Sequence, residues 1–389
     1  ATNIIDQRAP HSGPPKREKE AALIFDHIEA VLGAAGTSLE NIVRTDQYYT
    51  TVEMVPPYQE VRRGRFGKLI PTSTSIVESG FLLPEADMEM QVIAIVPDDN
   101  FQVKHLDDAG LRGRPTSGYS AALTAGDFVF VPGITSMAQG EEPKFHAKAK
   151  AAQIEDGMQW GGQPIKLETE FIITERIKPS LELAGATLAD VVKAQAYLTD
   201  RADYSAFNET WVRHFGENPP ALSIIPCAEQ GLAVETGKLE INVLALRSGG
   251  DTGKQIIDAG VSTAFREQPQ AVRAGDLLFL SALMANDEQG IEADAELDAR
   301  QPYYQSTIEA QAECILDKAA RICEAAGASL ENVVRIQQFH TDLSEFYTAH
   351  QVWQKRLPGR PLPFSAVEVP GPLPVPGCSV MMDLWIYAP

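Results

Sequence analysis

One element is written three times along this chain. Residues 34–50 read AAGTSLENIVRTDQYYT, residues 184–199 read AGATLADVVKAQAYLT, and residues 325–341 read AAGASLENVVRIQQFHT. The glycine of each copy, at Gly36, Gly185 and Gly327, returns after 149 and then 142 residues. Such a period is too long for a solenoid repeat and fits one small domain per copy. The 389 residues therefore read as related modules fused in tandem.

The local pattern is the same in each copy. Ile24, Ile28, Val31 and Leu32 recur at spacings of three and four, as do Ile173, Ile177 and Leu181, and Ile315, Ala319, Ile322 and Cys323. That spacing predicts a helix with one apolar face. The glycine that follows suits the left-handed position just past a helix end. Next comes a run such as VVKAQAYLT. Val191, Lys193, Gln195 and Tyr197 fall on one side of it, and Val192, Ala194, Ala196 and Leu198 on the other. This predicts a strand whose apolar face packs on the helix. Its polar face carries a repeated cation, Arg44, Lys193 and Arg335, expected to point outward in a structural role.

A second helix follows in each copy, within PPYQEVRRGRFG, YSAFNETWVRHFG and FYTAHQVWQKRLPG, and two further strands close the unit. Upstream, GYSAALTAGDFVFVPG aligns with QPQAVRAGDLLFLSA, and AGD marks a hairpin turn in both. The first copy has no such hairpin. The expected organisation is a truncated unit over 1–100 and complete units over 101–250 and 251–389. The expected class is α/β (α+β), with element order β-β-(β)-α-β-α-β-β, a mixed sheet and two helices on one face of it.

Charge and composition narrow the function. The net charge of −20 repels a polyanion at long range, and no basic run offsets it. No nucleic-acid partner is expected, and a small molecule is favoured. No stretch of 18 apolar residues occurs, so no membrane association is expected. The polar, Pro-rich start reads as a mature cytoplasmic chain without its initiator Met. Four cysteines, Cys227, Cys314, Cys323 and Cys378, show no CxxC pairing, which argues for reduced thiols and against a zinc site.

AGDFVFVPG, LAGATLADVVKAQAYLTD, FNETW and LEINVLAL, with their counterparts in the third copy, resemble the Rid/YjgF superfamily of imine and enamine deaminases. The resemblance covers most of 115–389 and, more weakly, 17–97. It implies an intrachain pseudo-trimer with clefts between units, since members are usually short single-unit homotrimers. It also implies cleft residues: an Arg in a PAR-S strand, a Tyr near the first strand, an Asn in the second helix and a Glu in the last strand. The Arg clamps the substrate carboxylate, and the Glu orients or deprotonates water.

The strand Arg is absent from this chain. Leu222 and Phe364 stand at its position, and Ser73 does so in the first unit. Tyr119 matches the family Tyr, with Gln268 as its counterpart. Asn208 matches the Asn, with His350 and Gln59 as counterparts. The acid is Glu240 in unit two, with Asp383 and Glu89 as the expected equivalents. Unit two keeps Tyr119, Asn208 and Glu240, which the resemblance makes the catalytic set. Arg112, Arg114 and Arg266 precede the hairpin strands and are the candidate replacements for the missing anion clamp. They join His350, Asp383 and Glu89 as candidate substrate-binding groups. Each residue also has a structural reading, as a strand aromatic, a helix-surface amide or a solvated charge.

The leading expectation is a deaminase needing neither metal nor other cofactor. It would act on a small anionic enamine or imine acid of the 2-aminomuconate type, drawn from aromatic degradation. A non-catalytic binding protein with decayed clefts is the alternative. A ring-opening amidohydrolase built on Ser–Lys pairs is less favoured. Thr74, Ser223 and Ser365 are equivalent, but their matching cations are Arg44, Lys193 and Arg335, and Arg cannot serve as a base. A homo-oligomer is an open expectation, because the short first unit leaves one face of the pseudo-trimer uncovered.

Overall fold

Each written copy becomes the same strand of a separate sheet. A computed structural model of the chain describes residues 15–389, except 100, 109, 112–117, 139–146, 159–160, 233, 235, 299, 301–302 and 304–305. The first unit runs α1 (Lys16–Ala34), β1 (Ile42–Tyr49), α2 (Val55–Phe66), β2 (Thr72–Val77), β3 (Gly80–Phe81) and β4 (Met88–Ala94). The second runs β5 (Val103–Leu106), β6 (Ala122–Ala125), β7 (Phe128–Thr135), α3 (Pro164–Ile172), α4 (Lys178–Leu183), β8 (Val191–Leu198), α5 (Tyr204–Phe215), β9 (Ala221–Pro226) and β10 (Leu239–Leu246). The third runs β11 (Lys254–Ile257), β12 (Ala271–Ala274), β13 (Leu277–Leu280), α6 (Thr307–Ala325), β14 (Val333–His340), α7 (Phe346–Arg356), β15 (Phe364–Glu368) and β16 (Val380–Tyr387).

The sheets order as β2-β1-β4, β5-β6-β7-β10-β8-β9 and β11-β12-β13-β16-β14-β15-β3. β1, β8 and β14 each pair in parallel with the strand reached through the second helix, and antiparallel with the last strand of the unit. Mixed α+β units repeated in this way fit a tandem pseudo-trimer. Among the described residues, the first sheet has no hairpin. Its short β3 crosses instead to pair with β15 of the third unit.

The glycines act where expected. Gly36, Gly185 and Gly327 have φ of 78°, 74° and 69°, a left-handed backbone that a side chain would strain. The helices bury one stripe each. In unit two, Ile173, Ile177 and Leu181 pack with Ala194, Ala196, Leu198 and Trp211. In unit three, Ile315, Ala319 and Ile322 do the same against Ile336 and Trp353. Val31 is an exception at 68% exposure: one residue on from a helix stripe turns about 100° away from it. A π turn at Ile173–Ile177 joins α3 to α4, just ahead of Pro179, which has no N–H to give the helix ladder.

The other sheet faces meet at the centre of the molecule. Tyr48, Tyr197 and Phe339, one from each copy, share a single apolar cluster, and the two hydroxyls of Tyr48 and Tyr197 lie 3.0 Å apart. The repeated cations are therefore not outward. Arg44 is 3% exposed, Lys193 1% and Arg335 9%. Two acids hold them. Asp46 pairs with Arg44 at 2.8 Å and with Arg335 at 2.7 Å, and Asp383 pairs with Lys193 at 3.0 Å. Gln195 donates to Gln337 at 2.6 Å and to Asp383 at 2.9 Å. Units that fuse face to face enclose what a lone sheet would expose, so a polar strand face becomes a buried inter-unit network. Such a network disfavours other pairings, because a misplaced unit would strand a charge.

Candidate active site between the first two units

Equivalent boundaries between units have become unequal. Between units one and two lies a cleft of about 1100 Å³. The corresponding hollow between units two and three measures about 10 Å³, filled by Trp211, Phe215, Pro219, Pro220 and Pro269. The large cleft takes one wall from α2 and β2 of unit one and the other from β7, β10, residues 229–232, Val234 and residues 236–238 of unit two.

Glu240 starts the deep end of this cleft. It sits on β10 opposite Thr135 of β7 and Tyr197 of β8 and is 4% exposed. Its Oε1 accepts the backbone N–H of Ser75, on β2 of the other unit, at 3.3 Å. Burial pushes its carboxyl up to about 8; the Ser75 N–H acts against that shift, and the charge of Asp46 adds to it. Gly133 makes the placement possible. A Cβ there would lie 2.0 Å from Glu240 Oε1 and 3.1 Å from the Thr74 Cα. The glycine thus admits both the carboxyl and the neighbouring strand.

Tyr119 lines the same cleft. It reaches unit one by a parallel bridge to Ile70, beside the Ser120 N–H bond to the Ile70 carbonyl at 3.3 Å. Lys238 also lines the cleft, bonded to Asp203 at 2.6 Å and Asp200 at 3.5 Å.

Asn208 is not in this cleft. Its Nδ2 donates to Glu267 at 3.3 Å, beside Gln268 in the closed hollow. The second helix of each unit faces the next unit, not its own first strand. The amide that meets Tyr119 is consequently Gln59, on α2, and Asn208 meets Gln268. Asp383 is also elsewhere. It lies opposite Gln337, as Asn242 lies opposite Gln195; the position of Glu240, opposite Tyr197, is held in unit three by Met381, opposite Phe339. Unit three therefore has no acid at this point, and Asp383 belongs to the central network. Glu89, opposite Tyr48, does occupy the acid position of unit one. It accepts from Ser365 at the third boundary. His350 stands at that boundary too, stacked on Phe346 and tilted against Phe364 with ring centroids 5.4 and 5.3 Å away. Burial lowers its pKa. Arg266 is exposed, with Glu288 3.9 Å away. Arg112 and Arg114 lie outside the described residues.

The cation that does line the cleft is Arg62, which the sequence reading passed over. It is 1% exposed, and its Nη1 donates to Ser73 Oγ at 3.2 Å. Ser73 is the unit-one counterpart of Leu222 and Phe364: these three lie opposite Thr45, Ala194 and Ile336 in matching registers. The signal was available, since Arg62 is three residues after Gln59 and so shares its helix face.

Ser223 does meet Lys193, at 2.9 Å. Both are buried at the centre, in contact with Asp383, and neither lines the cleft. That geometry removes the support for Ser–Lys amidohydrolase chemistry. Among the described residues no group of three or more metal-ligating side chains gathers, and no helix is long and apolar enough to cross a membrane. The four cysteines are unpaired.

Comparison with known proteins follows the same threefold division. The family described as Endoribonuclease L-PSP matches residues 7–96, 111–247 and 263–383. A RutC family protein of Pyrococcus abyssi is 34% identical over 131 residues, covering 34% of this chain and 83% of its own. A protein of Escherichia coli named "Putative reactive intermediate deaminase TdcF" is 28% identical over 74 residues, 19% of this chain and 57% of its own. The crystal structure of RidA from an Antarctic Psychrobacter is 29% identical over 34% of this chain and 98% of its own, with a TM-score of 0.29.

Proposed function

The chain belongs to the Endoribonuclease L-PSP family, that of the Rid/YjgF proteins, and on that premise we propose that it is a hydrolytic deaminase of an enamine or imine carboxylic acid, working in the cleft between its first two units. One observation carries the reading. A single carboxyl, Glu240, is buried at the end of a large cleft with its pKa raised to about 8. At neutral pH it is mostly protonated and can give or take a proton without help from a metal.

The proposed steps balance on that one group. Glu240 gives its proton to the enamine carbon and leaves an iminium. Its carboxylate then takes a proton from water as the water oxygen bonds to the iminium carbon. The resulting carbinolamine receives a proton on nitrogen from Glu240, the C–N bond breaks, and ammonia leaves. The hydroxyl proton returns to Glu240 as the 2-oxo acid forms. The Ser75 N–H holds the carboxyl in place, and Tyr119 offers a hydroxyl on the cleft wall. A substrate that is already an imine takes the Glu240 proton on its nitrogen, which gives the same iminium and carboxylate, and then follows the water step.

The finer proposal is a dicarboxylate of the 2-aminomuconate type. What supports it is the size of the cleft and a second lining cation, Lys238. The net charge of −20 sets a long-range barrier to RNA, so a ribonuclease role is not proposed despite the family description. The test is ammonia release from 2-aminomuconate and from simple 2-imino acids by wild-type protein and Glu240→Gln. Release by the wild type and loss in the variant is the expected result. Inertness of the wild type toward both classes would end the deaminase reading and leave a binding protein.

A further inference from the structure

The internal repeat provides a control for every residue of the cleft, and unit one departs from its sisters at linked positions. Arg62 corresponds to Trp211 and Trp353, both buried in helix-facing cores. Ser73 corresponds to Leu222 and Phe364, and Ser75 to Ile224 and Ala366. Unit two buries Trp211, Leu222 and Ile224 there; unit three buries Trp353 and Ala366 and leaves Phe364 40% exposed against Phe346 and His350. The unit that borders the open cleft fills it with a guanidinium and hydroxyls.

We propose that this polar pocket is the anion site of the protein, and that Arg62, reaching from the helix, holds the substrate carboxylate in place of the absent strand arginine. A guanidinium costs several kcal/mol to bury even after relaxation, whereas a tryptophan at this position fits the same fold twice over. The pocket is also arranged in advance. Ser73 and Ser75 both give their hydroxyl protons to Gln47 Oε1, at 2.8 and 2.9 Å. Ser73 Oγ is thereby turned to accept from Arg62 Nη1. The guanidinium also lies over the Tyr58 ring, 5.4 Å from its centroid, which fixes its plane.

Spacing links this pocket to the acid. Arg62 is anchored at Ser73 and Glu240 at Ser75. Two residues along one strand face span about 7 Å. That span accommodates a carboxylate on the guanidinium, the adjoining C2, and a water between C2 and Glu240. The ligand class is therefore a 2-imino or 2-amino-2-ene acid with its carboxylate directly on the reacting carbon. This rests on the deaminase reading for the reacting carbon, but not for the anion site.

The test measures binding and turnover separately. Calorimetry with 2-oxobutyrate, its amide, and wild-type, Arg62→Lys and Arg62→Trp proteins reads the anion site alone. Arg62→Trp introduces the residue both sister units carry, and a thermal melt of each variant checks that the fold is kept. The wild type is expected to bind the acid and not the amide. Either variant is expected to bind the acid roughly 30-fold or more weakly, the loss that follows from removing one partner of a buried charge pair. On a turned-over substrate, Arg62→Lys should raise KM more than it lowers kcat. Unchanged binding in Arg62→Trp, or no binding of the acid by the wild type, overturns the proposal even if ammonia is released. Arg62-dependent binding without any ammonia release would instead uphold the anion site and refute the deaminase.

Discussion

The Ser75 N–H donates to Glu240 Oε1 at 3.3 Å, joining two units across 165 residues of sequence. This bond fixes the acid of unit two against a strand of unit one. The site therefore exists only when the two units are docked.

Replacing that acid isolates its proton. Glu240→Gln keeps the shape and removes the titration. Turnover should fall by roughly 10² to 10⁴-fold. In the wild type, kcat/KM on an enamine should decline as pH rises through about 8, because the protonated carboxyl starts the reaction. A rate that climbs through this range would assign Glu240 the opposite starting state.

The same raised pKa has a consequence for stability. Folding favours the protonated form of Glu240, so its contribution is complete below the ordinary carboxylate value of 4.5 and is lost as pH climbs through about 8. Glu78, also raised by burial, acts in the same direction. Denaturant melts of Glu240→Gln should show a shallower fall in stability between about pH 5 and 8 than the wild type. Parallel curves would mean that Glu240 is solvated in solution.

Gly133 is the tightest point of the cleft. Gly133→Ala puts a methyl where Glu240 Oε1 lies. A displacement on the order of 1 Å should cost roughly 10²-fold in kcat, and the melting temperature should fall as well, because the methyl also presses on the Thr74 backbone at 3.1 Å. Full activity in Gly133→Ala would show that the carboxyl's position is immaterial to the chemistry.

Asn208 and Gln59 separate the two ways of pairing helix and cleft. Asn208→Ala lies in the closed hollow and should leave turnover within about twofold of wild type, as expected for a half-exposed position away from the site. Gln59→Ala, on the cleft wall, should raise KM. The reverse outcome would move the working site to the second boundary.

Asp383 tests the centre. Asp383→Asn leaves the Lys193 ammonium buried without its carboxylate and should cost roughly 3–5 kcal/mol, read as a drop in denaturant midpoint. The paired change Lys193→Met with Asp383→Leu should recover most of that loss. If the single variant melts like the wild type, the pair is not buried as described.

Much of the fold was legible because it is local. Helix stripes at Ile173, Ile177 and Leu181, the left-handed glycines and the AGD hairpins depend on neighbours a few residues away. The site was half legible. Tyr119 and Glu240 were named from resemblance and line one cleft, whereas Asn208 was grouped with them because it sits in the same unit. Arg62 went unnamed because the expected cation belonged on a strand.

The sequence alone determined that three related modules exist and where each begins its helix and strand. Those properties follow from backbone preference and apolar periodicity. Tertiary structure alone decided that Arg44, Lys193 and Arg335 are buried, that helix residues serve the neighbouring unit, and that one boundary stays open while another closes. The physical reason is that a strand has two faces and a unit has two neighbours. What each face meets is set by how the units rotate against one another, and no local pattern records that angle.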